Sequence, residues 1–204
     1  MTAASDQRIA NGAPAPRPPI DPRFLRRCLG QFATGVTVVS YELDAGPRGT
    51  TVNSFTSVSM DPPLILVSIA NTTRAATGLA GVPFVVNVLA SVQHQLAVNF
   101  SGRPVDGLDV PWTQGRGVPR LRGTAAWFQC EPWAEVPAGD HVLFIGRVVA
   151  HDHRRVAPLL FQAGQFRVVG DVVDGLAPEE HTDEIRWLHH SMMAQGLADD
   201  GTLS

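Results

Sequence analysis

The sequence predicts a mainly β protein, a barrel or a sandwich with a few short flanking helices. Short runs of β-branched and apolar residues recur along the chain, and turns rich in Gly and Pro separate them. Long helical patterns do not alternate with these runs, which argues against a parallel α/β sheet. The 204 residues are 44% hydrophobic and 17% charged, as expected for one globular domain.

Charge and motif content exclude several classes of function. The net charge of −3 provides no basic surface for nucleic acid or for a membrane. All 16 basic residues are Arg, so a lysine Schiff base and a P-loop lysine are both excluded. Cys28 and Cys130 lie too far apart to indicate a disulfide framework or a zinc site. The longest apolar run, Leu64–Ala70, is too short to cross a bilayer, so we expect a cytoplasmic protein.

The first ordered element is predicted to be a short helix. Residues 1–20 lack periodicity, and we expect a disordered leader there. Asp21 is a suitable N-cap, and Pro22 suits the first helical position. One apolar stripe follows at helical spacing, and Thr34-Gly35 ends the helix; the stripe comprises Leu25, Cys28, Leu29 and Phe32.

The period then changes to that of strands. Val36–Tyr41 reads as the first strand, and Asp44–Gly49 reads as a turn. Ser91 is predicted to cap a helix over Val92–Phe100. The domain is expected over residues 21–170, and residues 171–204 are expected to form an extension in which Thr182 would cap a third helix. Further strands are predicted at Thr50–Phe55, Leu64–Ala70, Phe84–Leu89, Ala125–Glu131 and His141–His151.

One strand and the turn after it carry a dense set of short polar side chains. Between Gly49 and Ser59 the chain alternates Thr, Asn and Ser with apolar residues. Hydroxyl, amide and backbone groups of this kind can hold a flat heterocycle that forms many hydrogen bonds. Taken alone, the stretch fits a Thr-rich edge strand better. His151-Asp152-His153 fits a polar strand end better than a metal pair, so no metal site is predicted.

Several segments, taken in order, carry a resemblance to a known family. They are Phe24–Ser40 with Gly30–Val39 inside it, Gly49–Ser59 followed by Asp61-Pro62-Pro63, Phe84–Leu89, Gly117–Pro119, Ala126–Glu131, Gly139–Val148 and Pro158–Phe161. Together they resemble the flavin reductase family, which has the FMN-binding split β-barrel fold of Greek-key type, over roughly residues 22–168. The resemblance implies that hydride passes from NADH or NADPH to FMN or FAD, and that reduced flavin then supplies a partner flavin-dependent monooxygenase. It also implies a homodimer, and neither nucleic acid nor membrane as a partner.

The resemblance also implies a role for particular residues. Asn87 is expected near the flavin, while Phe100 is expected either in the core or on the wall of the pocket. His141 is expected to position the nicotinamide, with Asp140 shaping the turn before it. The flavin ring would contact Thr51, Val52, Asn53, Ser54 and Phe55. The ribityl chain and phosphate would contact Ser68, Ala70, Thr72, Thr73 and Arg74, although the chain departs here from the commoner Ser-x-Thr pattern.

Two other functions remain open at this stage. The protein could hold flavin tightly and pass the hydride to another organic acceptor, or it could carry flavin without reducing it. The Gly139-Asp140-His141 motif argues against a pure carrier, because a carrier needs no nicotinamide site.

Overall fold

The computed structural model describes residues 19–43, 45–113 and 117–171. The predicted leader and the predicted helix after Thr182 lie outside these ranges. The domain limits drawn from the sequence therefore stay predictions. No helix within the described ranges is long and apolar enough to cross a bilayer.

Helix α1 begins where the sequence predicts. It spans Pro22–Leu29, and the Asp21 carboxylate accepts a hydrogen bond of 2.9 Å from the backbone N–H of Arg23. Its apolar stripe is not buried, since Leu29 is 65% exposed and Phe32, just beyond the helix, is 77% exposed. Three arginines lie on the opposite side of the helix, because residues are spaced about 100° apart around its axis.

The predicted fold class, mainly β with a few short helices, is confirmed. Seven strands form one antiparallel sheet in the order β3-β2-β6-β7-β8-β5-β4, and three short strands form a second sheet in the order β1-β9-β10. The strands are β1 (Thr34–Gly35), β2 (Thr37–Leu43), β3 (Gly46–Val52), β4 (Thr56–Met60), β5 (Pro63–Ala70), β6 (Phe84–Val88), β7 (Ala126–Ala138), β8 (His141–His153), β9 (Leu160–Gln162) and β10 (Gln165–Arg167). The helices after α1 are α2 (Arg74–Gly78) and α3 (His94–Asn99), the latter preceded by a 3-10 turn over Ser91–Gln93.

The strand predicted over Thr50–Phe55 is corrected by the structure. Strand β3 begins at Gly46, inside the predicted turn, and ends at Val52. The register explains this, because β2 and β3 pair continuously from Thr37↔Val52 to Leu43↔Gly46. Residues 53–55 connect β3 to β4, an additional strand that the sequence analysis did not separate. The predicted cap at Ser91 is also corrected. The capping hydrogen bond comes from Gln93 instead, whose Oε1 accepts from the N–H of Ala90.

Two apolar clusters pack around the large sheet. Alternation along β2 divides neighbouring residues between them, so that Val39 joins one cluster and Val38 the other. The first cluster closes tightly over Gly146, where an added Cβ would lie 2.6 Å from the Phe84 ring. Cys130 lies in this cluster, and burial raises the pKa of its thiol to about 12. Cys28 on α1 is exposed.

Asn87 is a polar residue of the sheet interior. Its side chain is fully buried and donates hydrogen bonds of 2.9 Å to the carbonyl of Val38 and to the Ser40 hydroxyl. Its Oδ1 accepts a third, also of 2.9 Å, from the backbone N–H of Leu121. The amide thus joins β2, β6 and the segment before β7, and its capacity is used within the core.

Candidate functional site

Two adjoining clefts open on either side of the carboxyl end of β3. The first, called the polar cleft here, has a volume of about 250 Å³, and residues 50–54 face Ser68, Ala70, Thr73 and His141 across it. The second, called the apolar cleft, has a volume of about 360 Å³. Thr51, Val52 and Asn53 line both. The end of β3 therefore lies between a polar cleft and an apolar cleft.

Hydrogen bonds fix the chain on either side of Asn53. Thr51 donates from its hydroxyl to the carbonyl of Ala97 at 2.8 Å and from its N–H to the carbonyl of Phe100 at 3.0 Å. The Ser54 hydroxyl donates to the carbonyl of Ser68 at 2.9 Å and accepts from its N–H at 3.0 Å. These hydroxyls hold α3 and β5 in place, so they shape the clefts rather than offer spare donors.

Asn53 itself keeps its side chain available. It is exposed, and its amide makes no hydrogen bond with any residue in the described ranges. A primary amide offers two donor hydrogens and an acceptor oxygen, which suits the alternating edge of a heterocyclic ring. Among the predicted ring contacts, Asn53 is therefore the side chain best placed to form hydrogen bonds with a ligand.

His141 forms the opposite wall of the polar cleft. Its Nδ1 lies 2.7 Å from Oδ1 of Asp140, while its own side chain is 41% exposed. The hydrogen bond to His141 lowers the pKa of the Asp140 carboxyl, so the carboxylate is ionised at neutral pH. An ionised carboxylate favours the proton on Nδ1, which leaves Nε2 of the neutral ring as an acceptor for a ligand.

The turn before His141 is tied to the end of β5. The Asn71 side chain donates to the carbonyl of Gly139 at 3.2 Å, and its backbone N–H donates to the carbonyl of Asp140 at 3.0 Å. The sequence analysis gave Asn71 no role. In the sequence, Asn71 is only a single amide residue at the end of a strand. Its hydrogen-bond partners can be recognised only once the turn between β7 and β8 is folded against it.

The structure brings only part of the predicted phosphate region to the cleft. Ser68, Ala70 and Thr73 line it, whereas Thr72 and Arg74 do not. Helix α2 is only 5 residues long, and the Thr73 hydroxyl donates to the carbonyl of Ala70 instead of capping it. The predicted phosphate contacts that line the cleft therefore offer two hydroxyl side chains, and no arginine lies among them.

Three other predicted contacts face away from the clefts. Asn87 belongs to the core, as described above, and a fully buried side chain cannot touch a ligand in the clefts. Phe100 packs on Trp112 with ring centroids 5.7 Å apart, which resolves its two expected roles in favour of the core. Phe55 stacks on Phe128 at 5.5 Å and packs against the first apolar cluster.

The apolar cleft contains residues that the sequence analysis missed. Phe161 and Phe166 come from β9 and β10, more than 100 positions after β3, and their rings meet edge to face at 5.7 Å. Among the described residues that line this cleft, Arg103 is the only charged one. In the sequence it is a single cation directly after Ser101-Gly102. Only the packing of the small sheet against α3 shows which residues of these segments meet.

The two clefts together suit a flat, amphipathic heterocycle. Apolar side chains would cover one end of the ring, and Asn53 with the backbone of β3 would meet its polar edge. No acidic residue of the described ranges lines either cleft, so an electron-rich or anionic ring meets no carboxylate from this part of the chain. This donor set fits a flavin, and the class of protein that fold and site define is a flavin-binding β protein.

Comparison with known proteins names the family. Residues 29–181 match the family described as "Flavin reductase like domain", and the chain belongs to it. It is 43% identical to FMN reductase (NADH) SmoA of Agrobacterium fabrum over 148 residues, 71% of this chain and 84% of that protein. The flavin reductase PheA2 in its native state superposes with a TM-score of 0.71 and 37% identity, over 74% of this chain and 100% of that one.

Some relatives are longer than this chain. A Rhizobium meliloti relative, also named as a flavin reductase, is 42% identical over 168 residues, which are 78% of this chain but only 54% of that protein. The class predicted from the sequence, an oxidoreductase that reduces flavin with a nicotinamide nucleotide, is confirmed at the level of the family.

Proposed function

We propose that this chain transfers a hydride from NADH to FMN or FAD and releases the reduced flavin to a separate monooxygenase. The observation that carries the proposal is the polar cleft, in which the end of β3 faces His141, beside an apolar cleft that shares the end of β3. It supplies a ring site and a second polar wall for another planar group. The name of the Agrobacterium relative supports NADH as donor and FMN as acceptor.

The residues act chiefly by binding and orientation. Asn53 and the backbone at the end of β3 orient the polar edge of the ring, while the aromatic pair of the apolar cleft excludes water from its other end. His141 presents Nε2 toward the bound nicotinamide nucleotide, and Asp140 holds the imidazole in that tautomer. The flavin, when bound, accepts the hydride at its ring, and no side chain has to break a strong bond. The protein would then promote hydride transfer by holding the nicotinamide ring and the flavin ring stacked at short distance.

The shape of the site favours flavin as a substrate that binds and dissociates, in contrast to a permanently bound prosthetic group. Both clefts are open grooves, and Asp140 beside the polar cleft is 94% exposed in its side chain. A tightly held prosthetic group is usually enclosed over most of its surface. The geometry thus favours release of reduced flavin over a bound-flavin enzyme with another acceptor.

The proposal extends to a homodimer. The exposed apolar residues of α1 include Phe24 at 59% and Leu29 at 65%, a surface that a second copy of the chain would bury. Light scattering after gel filtration tests this: Leu29→Glu should yield monomers where the parent protein yields dimers. The cytoplasmic location stays a prediction, as do the partner oxygenase and the lack of nucleic-acid or membrane partners.

Absorbance at the NADH band tests the activity directly. Purified protein should oxidise NADH only when free flavin is added, and the rate should saturate with FMN or FAD. NADPH, tested in parallel, measures the donor preference. Oxidation that needs no added flavin, because flavin co-purifies, would instead establish the bound-flavin enzyme. Flavin binding without oxidation of either nucleotide would establish a carrier.

A further inference from the structure

The turn between β7 and β8 lies beside the polar cleft and is exposed. It consists of residues 139 and 140, since Ala138 and His141 pair with each other at the ends of the two strands. Gly139 has a φ of +65°, and two-residue turns of this kind favour Gly at their first position. Residues 135–140 are all exposed, so the position of the turn depends on hydrogen bonds more than on apolar packing.

Asn71 supplies the hydrogen bonds that join this turn to another part of the described chain, beyond those of the strand ladder. Its backbone N–H donates to the carbonyl of Asp140 at 3.0 Å, and its side-chain amide donates to the carbonyl of Gly139 at 3.2 Å. The backbone around Asn71 is itself fixed by Thr73, which donates to the carbonyl of Ala70 from its N–H at 3.0 Å and from its hydroxyl at 2.8 Å. One residue therefore holds both carbonyls of the turn.

The turn influences how His141 is oriented in the polar cleft. Pairing with Ala70 in the ladder between β5 and β8 fixes the backbone of the histidine. The direction of its imidazole depends on Asp140, whose Oδ1 lies 2.7 Å from Nδ1. A hydrogen bond that fixes the backbone of Asp140 also limits where its carboxylate can lie. The contacts of Asn71 are thus transmitted through Asp140 to a ring that lines the cleft.

We propose that Asn71 is a positioning residue, which holds the β7–β8 turn so that His141 presents Nε2 to the polar cleft. Its effect on turnover rests on the proposed function, in which the nicotinamide nucleotide meets this imidazole. Asn71 is not among the residues that line the polar or the apolar cleft, so it acts on a ligand through His141. Loss of its amide should therefore weaken the use of the nucleotide and spare the flavin.

Steady-state kinetics of Asn71→Ala measure this effect. The KM for NADH should rise about threefold, while kcat and the flavin dissociation constant stay unchanged. The rise is modest because the backbone N–H of residue 71 still holds the carbonyl of Asp140. Asn71→Asp keeps the size of the side chain but places a carboxylate against the carbonyl of Gly139, so the KM should rise further. Thr77→Ala is the matched control, since it removes another exposed hydrogen bond of 3.2 Å to a carbonyl, and it should change neither constant.

A double variant shows whether Asn71 acts through His141. In the His141→Ala background, Asn71→Ala should cause no further rise in the KM for NADH, because the ring that it positions is gone. An equal rise in both backgrounds would overturn the proposal, and so would an unchanged KM in the single variant. Weaker flavin binding together with a lower urea midpoint in Asn71→Ala would show a general structural role and would also overturn it.

Nuclear magnetic resonance tests the positioning without turnover. Long-range correlations between imidazole protons and nitrogens report which ring nitrogen carries the proton, and the His141→Ala spectrum identifies the His141 signals among those of the seven histidines. The neutral ring of the parent should carry its proton on Nδ1, whereas Asn71→Ala should shift a measurable fraction to Nε2. An unchanged tautomer ratio would overturn the proposal. A shifted ratio in a protein that oxidises no NADH would support it and would refute the proposed function alone.

Discussion

Two asparagines on neighbouring parts of the sheet have opposite environments. Asn87 is fully buried, and its amide makes hydrogen bonds to β2 and to the segment before β7. Asn53 is exposed at the end of β3, and its amide is bound to nothing in the described ranges. The resemblance to the family predicted that both asparagines would lie near the flavin. The difference shows that a polar residue serves the fold when its hydrogen bonds are satisfied internally, and is available to a ligand when they are not.

Loss of Asn87 should have the largest effect, and it should be on stability. Asn87→Leu leaves the buried N–H of Leu121 without its partner and removes the side-chain hydrogen bonds to the Val38 carbonyl and the Ser40 hydroxyl, at a cost of ~1–3 kcal/mol for the unsatisfied N–H and less for the other two. We expect the free energy of unfolding to fall by about 3 kcal/mol, measured by urea denaturation. Flavin affinity of the folded fraction should stay within about twofold of the parent's, since the side chain does not reach the clefts. A selective loss of flavin affinity with unchanged stability would contradict this prediction and would show that Asn87 contacts the flavin.

Asn53 should show the reverse pattern. Asn53→Leu preserves the size of the side chain and removes the hydrogen bonds to the ring edge, so flavin affinity should fall about fivefold to tenfold. Stability should change by less than about 0.5 kcal/mol, as is usual for an exposed position. Flavin fluorescence titration and urea denaturation of the same preparation measure the two quantities. Unchanged flavin affinity would mean that the ring does not lie against the end of β3.

Replacing His141 should separate the two substrates. His141→Ala removes the acceptor that faces the nicotinamide nucleotide, and the KM for NADH should rise about fivefold while the flavin dissociation constant stays constant. His153→Ala, an exposed histidine near the other end of β8, is the matched control and should change neither constant. Equal weakening of NADH and flavin would indicate a collapsed cleft instead of a lost contact.

The smallest effect is expected at Asp140, and it should depend on pH. Its folded pKa is lowered by the hydrogen bond to His141, so the carboxylate contributes to stability above the usual carboxyl pKa and this contribution disappears as pH falls through the folded value. Asp140→Asn should therefore be slightly less stable than the parent at pH 7, and the difference should shrink as pH falls below the usual carboxyl pKa of about 4 and vanish below the folded value. The KM for NADH at pH 7 should rise by no more than about threefold, because the residue acts through His141. A stability difference that stays constant as pH falls through this range would exclude the Asp140–His141 hydrogen bond as its source.

The parts of the molecule that depend on local signals could be predicted from the sequence. The cap at Asp21 and the β-branched run of β2 specify their elements within a few residues, and both were found. The boundary between β3 and β4 was missed because Thr, Ser and Asn suit a strand and a turn equally well. What ends β3 at Val52 is pairing with β2, a contact between distant residues.

The candidate site likewise has parts that could be predicted from local sequence signals and parts that could not. The stretch around Asn53 could be predicted because several hydroxyl and amide residues lie together in the sequence. Phe161 and Phe166 could not, since their position depends on β9 and β10 folding back onto β1. Whether a side chain points into the core or into a cleft is decided by strand register, and one residue of shift reverses it.

The two cysteines give the molecule a single accessible thiol. Cys130 is buried, and its raised pKa keeps it protonated and unreactive, whereas Cys28 is exposed on α1. A nitroxide attached to Cys28 would therefore label one defined point of each chain without any mutation. Because Cys28 belongs to the apolar stripe of α1 that the proposed dimer would bury, this labelling should be slow in the parent dimer and fast in the Leu29→Glu monomer.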